Sequence, residues 1–480
     1  MKFCILVLSL VLGLTGCTHV NKALNPASVA LEDRKLNHTR AAIGLPVLPL
    51  DVSESATEIP TTSPIVATPL PTDDDGYFVG IAISGGGSRS ANFSAACMFQ
   101  LQKLGLLQHI DYISSVSGGS LTAAYYCLYG DEWNPENVQQ RLTHSYASDV
   151  ILQSAIPWNF LTLIFTDWDR TDLLAESFRA HLFSRNGKTL TFADLREDRP
   201  RLLINSTDLQ SGRRFVFCNE MFDEINSDLS SYPIANAVAA SAAFPIVMHH
   251  MTLRDFSTAY KQYRHLIDGG VTDNLGVETL VETYEGQLLA AAKKGEADPY
   301  PKGAIIIVID ARTTFNAQLA DRGDIGFFDS LRAGTGLTST SLLARAASAT
   351  MADTVLKYAS DDIDARTLRA QMKELETNGH VTMKGRSGKP ARVVHLSLAR
   401  VNELSNLPFA SFSESVNNIA TYFNIDDTEA YNLYKASELL INEKFAPVLE
   451  EIAGELEMQK PKLEIRRPND ESIPNEPMAK

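Results

Sequence analysis

The sequence predicts an α/β protein in which helices cover both faces of a mainly parallel central sheet. Two apolar strand patterns, Tyr77–Ile83 and Tyr112–Val116, each run into small residues and then into a helical pattern. A third run, Gly303–Asp310, is apolar almost throughout, which is typical of a strand buried on both faces. Alternation of strands and helices favours a parallel sheet, whose functional loops lie at the carboxyl ends of its strands.

The composition fits a large globular protein and excludes one class of partner. The chain has 480 residues, of which 44% are hydrophobic, so a sizeable core is possible. Its net charge of −15 argues against nucleic acid, because phosphate binding needs a basic face. The same charge argues against electrostatic docking on anionic lipid. Any attachment to a membrane must therefore use apolar groups or a covalent anchor.

The second strand pattern ends in a candidate nucleophile elbow, Ser115-Val116-Ser117-Gly118-Gly119. A serine on a strained strand-to-helix turn needs small neighbours, because the flanking backbone must approach other segments closely. The helix that begins at Gly119 or Ser120 would direct its positive end toward Ser117. The usual elbow is G-x-S-x-G, so Ser115 departs from the pattern.

The first strand pattern ends in three glycines, Gly85, Gly86 and Gly87. A strand, a glycine loop and a helix place several amide groups around one point, where they stabilise an anion such as a phosphate or an oxyanion. The loop lacks the third glycine of a dinucleotide fingerprint and the lysine of a Walker motif. Beside a serine elbow, the loop is better interpreted as an oxyanion hole.

A third motif, Asp268-Gly269-Gly270, follows a short strand pattern that begins at His265. In this order, the three motifs resemble those of patatin-like phospholipases, which are G-G-G-x-[KR]-G, G-x-S-x-G and D-G-[AG]. The resemblance covers roughly residues 78–276 and includes two supporting segments, 205–208 and 240–245. Ser90 and Ser115 stand where the family usually has glycine.

The resemblance implies a patatin-like three-layer α/β/α fold with a helical C-terminal extension, and hydrolysis of a carboxylic ester in a lipid. It implies that Ser117 is the nucleophile and Asp268 the general base, without metal or cofactor. The oxyanion would be held by Gly86 and Gly87, with Gly85 and Gly118 as further candidates. The other motif residues would have supporting roles, namely Arg89, Gly119, Gly269 and Gly270. Of these, Arg89 is expected to lock the glycine loop.

Two alternatives stay open at this point. One is a Ser–His–Asp esterase in which Ser117 acts with Asp310 and His395, although it leaves the Asp268 motif unexplained. The other is a membrane-anchored scaffold without enzymatic activity, in which the glycine loop binds phosphate and Ser117 only caps a helix.

The N-terminus has the features of a bacterial lipoprotein signal peptide, residues 1–16. Lys2 precedes an apolar run, Phe3–Leu14, that is shorter than the roughly 20 residues needed to span a bilayer. Leu14-Thr15-Gly16-Cys17 resembles a lipobox, whose cysteine is acylated and becomes the new N-terminus. An ordinary signal peptide with a chance cysteine is the alternative. We expect Cys17 to anchor the chain, facing the periplasm at the outer membrane.

The remaining segments complete the predicted organisation. Residues 17–75 are interpreted as a flexible tether, 76–315 as the catalytic domain, 316–458 as a mainly helical continuation with at least one strand, and 459–480 as a disordered tail. The aromatic-rich stretch 156–168 is either a lid that contacts lipid or a core helix. Adjacent His249 and His250 are expected to be structural, on opposite faces of a strand. Three cysteines, Cys97, Cys127 and Cys218, are expected to be buried and unpaired.

Overall fold

The computed structural model describes residues 23–28, 75–130, 132–156, 169–245, 248–257, 262–313, 365–384 and 388–457. The predicted signal peptide, Cys17, the predicted tail and almost all of the predicted tether lie outside these residues. So do residues 157–168 of the aromatic stretch and residues 314–364 of the predicted continuation.

Strands and helices alternate as expected from residue 77 to residue 128, whereas further along the chain several helices or several strands often follow one another. The strands are β1 Tyr77–Ile83, β2 Tyr112–Val116, β3 Ser184–Arg185, β4 Lys188–Thr189, β5 Arg201–Asp208, β6 Arg214–Phe217, β7 Met251–Asp255, β8 Gln262–Asp268, β9 Gly303–Asp310, β10 His380–Lys384 and β11 Pro390–Ser397. The α-helices are α1 Gly87–Lys103, α2 Gly119–Leu128, α3 Pro135–Leu142, α4 Tyr146–Ala155, α5 Arg170–His181, α6 Asn219–Glu224, α7 Ile234–Ser241, α8 Val277–Lys294, α9 Ala365–Asn378, α10 Phe412–Asn417, α11 Asp427–Leu440 and α12 Ala446–Glu457.

Within the described residues, nine strands form one mixed sheet with a parallel centre. The strand order is β10-β11-β9-β1-β2-β5-β8-β7, and β6 also pairs with β5. The five strands from β11 to β5 are parallel, whereas the outer strands β6, β7, β8 and β10 join antiparallel. This arrangement confirms the predicted α/β class with a mainly parallel central sheet.

Side chains on the two faces of the sheet belong to two separate apolar clusters. Along β1, Val79 and Ile81 pack into one cluster, whereas Phe78 and Ala82 pack into the other. This alternation follows from the two-residue period of a strand. Helices α1, α2 and α11 cover the first face, and α8 and α9 cover the second, which confirms the three-layer α/β/α fold.

The C-terminal part of the chain is continuous with this sheet. Strand β11 pairs in parallel with β9, and β10 pairs with β11. Helix α11 packs along α1, so residues near the C-terminus lie next to the helix that follows the glycine loop. Among the helices of the described ranges, none has both the length and the apolar character needed to cross a membrane.

The ends of two helices involve glycines. Helix α1 begins at Gly87, so the last loop glycine lies in the first helical turn. Helix α8 continues to Lys294, where Gly295 ends it with a positive φ of 70°. His249 and His250 precede β7 and are not part of a strand, so the prediction of opposite strand faces was wrong.

The strand pairing brings the three predicted site motifs to one edge of the sheet. Ile83 of β1 pairs with Ser115 of β2, so the two strands end side by side. Strand β8 runs in the opposite direction and ends where Asp268 pairs with Ser206 of β5. The glycine loop, the elbow and the aspartate therefore meet at the carboxyl edge of the parallel strands.

The packing of α8 on the sheet provides a test of the fold. Leu280 is fully buried beneath β1, so Leu280→Ala should lower the free energy of unfolding by about 2–5 kcal/mol. Leu289, on the same helix, is 48% exposed, and Leu289→Ala is the matched control with a change below about 1 kcal/mol. Urea unfolding of both variants measures the difference, and equal losses would contradict this packing.

Candidate active site

Ser117 lies on a strained turn between β2 and α2. Its φ of 51° falls in the left-handed region, which non-glycine residues rarely occupy. The Ser117 amide donates a hydrogen bond of 2.8 Å to Ser241 Oγ, which in turn donates to the carbonyl of Asn205. These buried contacts hold the strained residue in place, as a nucleophile elbow requires.

The elbow glycines are required by close backbone contacts. A Cβ on Gly118 would lie 2.1 Å from the carbonyl oxygen of Gly87, which no side chain could tolerate. A Cβ on Gly119 would lie 2.5 Å from Ile83 Cγ2. The two motifs therefore pack directly on each other because neither has side chains at the contact.

The two serines that replace family glycines are both hydrogen-bonded in the interior. Ser120 Oγ donates to Ser115 Oγ at 3.0 Å, and Ser90 Oγ donates to the carbonyl of Ser84 at 2.5 Å. Both hydroxyl groups are buried. Each departure from the pattern is thus accommodated by a local acceptor or donor.

Asp268 lies directly beside the elbow serine. Ser117 Oγ donates a hydrogen bond of 2.9 Å to Asp268 Oδ2, and the Gly270 amide donates one of 2.7 Å to Oδ1. Burial raises the pKa of Asp268 to about 6, although both hydrogen bonds favour the charged form. A Cβ on Gly269 would lie 2.3 Å from the Asn205 carbonyl oxygen, so only glycine allows this turn.

The glycine loop approaches the same point from β1. A Cβ on Gly85 would lie 3.4 Å from Ser117 Cβ, so the loop borders Ser117. The Gly85 amide donates to the carbonyl of Asn274 at 3.0 Å. Among the described residues, the amides of Gly86 and Gly87 have no acceptor. The oxyanion candidates therefore narrow to Gly86, Gly87 and Gly118, because the Gly85 amide is already used.

Arg89 is buried and does not contact the serine or the aspartate. Its guanidinium donates to the carbonyls of Ala311 and Ile419, at 2.9 and 2.7 Å. Burial lowers its pKa to about 10, and the nearby Asp310 carboxylate partly opposes this shift. The arginine thus ties the start of α1 to two other segments.

A second layer of polar side chains supports the elbow and the turn. Asn205 donates to Ser114 Oγ and to the carbonyl of Ser115, both at 2.9 Å. Asp273 accepts from the amides of Leu275, Gly276 and Glu278 and so fixes the start of α8. The supporting motifs at 205–208 and 240–245 had indicated Asn205 and Ser241 without their partners. No motif had indicated Asp273 or Asn274.

The alternative Ser–His–Asp arrangement is only partly assembled. His395 Nε2 lies 3.0 Å from Asp310 Oδ2, so the histidine and the acid do pair. However, β9 and β1 separate His395 on β11 from the end of β2. At about 4.8 Å per strand, this places His395 about 14 Å from the elbow. Ser117 is paired with Asp268 instead.

One cluster in the described part of the chain has the composition of a metal site. His144, Asp149 and His181 offer ligand atoms that all lie within 4.8 Å of one another. The two imidazole rings are stacked, with centroids 3.7 Å apart. Both Nε2 atoms lie within hydrogen-bonding distance of Asp149 Oδ2, at 2.8 and 3.2 Å. Hydrogen bonds explain the cluster better than converging metal ligands do.

The three predicted buried cysteines, Cys97, Cys127 and Cys218, are free and buried. This confirms that they serve as small core residues rather than as disulfide partners.

The raised pKa of Asp268 predicts a pH-dependent effect on stability that does not depend on activity. The folded protein binds the Asp268 proton more tightly than the unfolded chain does. Proton binding by Asp268 therefore stabilises the folded state fully below about pH 4, and this stabilisation is lost as pH rises through about 6. We expect the uncharged Asp268→Asn variant to be more stable than wild type by about 1–3 kcal/mol near pH 8, and to approach wild type near pH 4.

Urea unfolding at the two pH values measures this difference. The exposed Asp427→Asn substitution is the control, and an equal pH dependence for the two variants would contradict the prediction.

Comparisons with known proteins agree with this arrangement of motifs. Residues 81–281 match the family model described as "Patatin-like phospholipase". Human cytosolic phospholipase A2 delta is 40% identical over 68 residues, which are 14% of this chain and 8% of that protein. The mouse protein of the same name is 33% identical over 88 residues, or 18% of this chain and 10% of its own length. The alignments therefore span a tenth or less of these relatives.

A solved structure, "Human GIVD cytosolic phospholipase A2", aligns with 89% of this chain and 66% of its own. Its sequence identity is 13% and its TM-score is 0.45. Ser117, Asp268 and the glycine loop all lie within residues 81–281, the region of the chain that is similar to patatin-like phospholipases.

Proposed function

We propose that the protein is a lipid acyl hydrolase of the patatin-like phospholipase family, which cleaves a carboxylic ester by means of Ser117 and Asp268. The observation that supports this proposal most directly is the 2.9 Å hydrogen bond from Ser117 Oγ to Asp268 Oδ2 on a strained elbow. The matched family and the two relatives are phospholipases by name, which favours a lipid ester as substrate.

Asp268 acts as the general base in this reaction. An aspartate in water has a pKa of about 3.9 and is a weak base. Burial raises the pKa of Asp268 to about 6, so the carboxylate attracts the Ser117 proton more strongly and is still ionised at neutral pH. Ser117 Oγ then attacks the acyl carbonyl, and its proton passes to Asp268 Oδ2.

The protonated Asp268 next returns the proton to the departing alcohol, which leaves an acyl group on Ser117. A water molecule then gives a proton to the same carboxylate and attacks the acyl carbonyl. The bond between Ser117 Oγ and the acyl group breaks, Asp268 returns the proton to Ser117 Oγ, and the fatty acid is released. Every proton in this cycle moves through one carboxylate. The Gly270 amide keeps Oδ1 occupied, so that Oδ2 faces the serine.

The negative charge that develops on the carbonyl oxygen is stabilised by backbone amides. Gly86 and Gly87 supply the donors, and Gly118 is a third candidate. A donor of this kind typically lowers the barrier by about 3 kcal/mol. The positive φ values of Gly86 and Gly87, 145° and 59°, make glycine necessary at both positions.

The release of fatty acid from mixed phospholipid micelles measures whether Ser117 and Asp268 are needed for ester cleavage. We expect Ser117→Ala and Asp268→Asn each to lower kcat by about 10³-fold or more, in the presence of EDTA, because the nucleophile or its base is lost. His395→Ala is the matched control and should change kcat by less than about threefold, because His395 is paired with Asp310 away from the elbow.

Labelling by a fluorophosphonate probe distinguishes the alternatives. Probe reaction at Ser117 supports the hydrolase, whereas no labelling and no ester hydrolysis would favour a non-enzymatic scaffold. Activity that survives Asp268→Asn but not His395→Ala would indicate the Ser–His–Asp triad.

We also propose that Cys17 is acylated and holds the protein on a bacterial cell envelope, at the outer membrane and facing the periplasm. The support is the sequence Leu14-Thr15-Gly16-Cys17 at the end of a short apolar run. An anchor of two or more acyl chains holds a protein stably where one chain does not.

Expression of the full chain in bacteria with an alkyne-labelled palmitate tests this anchor. Wild type should incorporate the label and sediment with membranes, and Cys17→Ser should lose both properties. Cys97→Ser is the control, because that cysteine is buried in the core. Equal labelling of the Cys17 variant and wild type would contradict the anchor.

A further inference from the structure

A short segment near the C-terminus, residues 419–423, lies against the glycine loop. The Ser88 amide donates a hydrogen bond of 2.7 Å to the carbonyl of Tyr422. The Arg89 guanidinium donates one of 2.7 Å to the carbonyl of Ile419. Two consecutive residues at the start of α1 are therefore held by this segment, called the C-terminal loop below.

The contact is too close for any side chain at its centre. A Cβ on Gly87 would lie 2.5 Å from the carbonyl oxygen and 2.8 Å from the carbonyl carbon of Tyr422. On the opposite side, a Cβ on Gly118 would lie 2.1 Å from the Gly87 carbonyl oxygen. The elbow, the glycine loop and the C-terminal loop thus form three backbone layers in direct contact, with Gly87 in the middle.

The C-terminal loop is itself held from the other side by α4 and α5. The Ala147 amide, in the first turn of α4, donates to the carbonyl of Phe423 at 3.0 Å. The Phe423 ring packs edge-on against Phe178 of α5, with centroids 5.6 Å apart and an interplanar angle of 68°. The loop is therefore fixed between these helices and α1.

These contacts determine which amides remain for an anion. The first residues of a helix have amides without intrahelical acceptors, and each is a possible oxyanion donor. Tyr422 occupies the Ser88 amide, and Asn274 occupies the Gly85 amide. Between these two positions, the amides of Gly86 and Gly87 have no acceptor among the described residues.

We propose that the C-terminal loop is a positioning element of the active site, which holds Gly86 and Gly87 in the conformation that presents their amides to the oxyanion. This inference rests on the proposed hydrolase function for its chemical meaning. It assigns a role in that site to a segment outside residues 81–281, the region matched by the family model. Residues 419–423 act through the backbone of Gly87 and Ser88 and do not touch the reacting atoms.

Phe423→Ala tests the proposal because it removes the ring that packs on Phe178 and leaves the glycine loop unaltered. The ring is only partly buried, so the variant should fold. Phe423→Leu keeps an apolar contact with Phe178 and should therefore behave much more like wild type than Phe423→Ala does. Tyr431→Ala is the control, because Tyr431 is 61% exposed on α11.

The first measurement is hydrogen–deuterium exchange of peptides that contain residues 84–90. We expect the Ser88 amide to be protected in wild type and in Tyr431→Ala, and to exchange about tenfold faster or more in Phe423→Ala. This measurement does not depend on catalysis. Unchanged exchange in Phe423→Ala would overturn the proposal, even if the protein hydrolyses no ester and the proposed function fails.

The second measurement is ester hydrolysis per active site titrated with a fluorophosphonate. Displaced oxyanion donors should lower kcat of Phe423→Ala about tenfold or more with KM nearly unchanged, and Phe423→Leu should recover most of the rate. A merely structural role would lower the number of titrated sites and the melting temperature while kcat per site stays at the wild-type value. That result would overturn the positioning role.

Discussion

The hydrogen bond between Ser117 and Asp268 depends on one constraint, which is that three backbone segments meet without side chains between them. The missing Cβ atoms of Gly87, Gly118 and Gly269 would each lie 2.1–2.5 Å from a backbone carbonyl oxygen of a neighbouring segment. Such distances exclude every residue except glycine. The glycines therefore do more than permit turns, since they allow Ser117 Oγ and Asp268 Oδ2 to come within 2.9 Å.

The same constraint explains the electrostatics of the site. Close backbone packing removes water from around Asp268, and burial raises the pKa of the carboxyl group to about 6, with no cationic partner among the described residues. The only two hydrogen bonds to its carboxylate among the described residues come from the Gly270 amide and the Ser117 hydroxyl. Asp310 is equally buried, but His395 and Arg312 keep its pKa below the usual value. A buried aspartate is a useful base only where no cation neutralises it.

The sequence was sufficient to predict the sheet, the elbow and the meeting of Ser117 with Asp268. Strand patterns and small-residue motifs are local, and the carboxyl ends of the parallel strands β1 and β2 necessarily share an edge. Asp268 ends the antiparallel strand β8, so its place beside Ser117 was predicted by the family resemblance and not by strand direction. The supporting contacts could not be predicted in the same way. Ser241 binds the Ser117 amide from 124 positions away, and Tyr422 binds Ser88 through a backbone carbonyl that any residue could supply. The residue that supplies a backbone carbonyl is not marked by its type, although the glycine that it packs against is.

The use of the Gly85 amide shows why a motif alone overestimates an oxyanion hole. Three consecutive glycines suggest three equivalent donors, but the first amide bonds to Asn274, which precedes α8. In the helix that follows the loop, the Ser88 amide is likewise already hydrogen-bonded, to the carbonyl of Tyr422. Asn274 and Tyr422 both lie in segments far along the chain from the loop. Tertiary contacts thus determine how many backbone amides of the loop remain free to bind an anion. A glycine loop of the same sequence, without these two carbonyls, would present a broader and less specific set of amides to an anion.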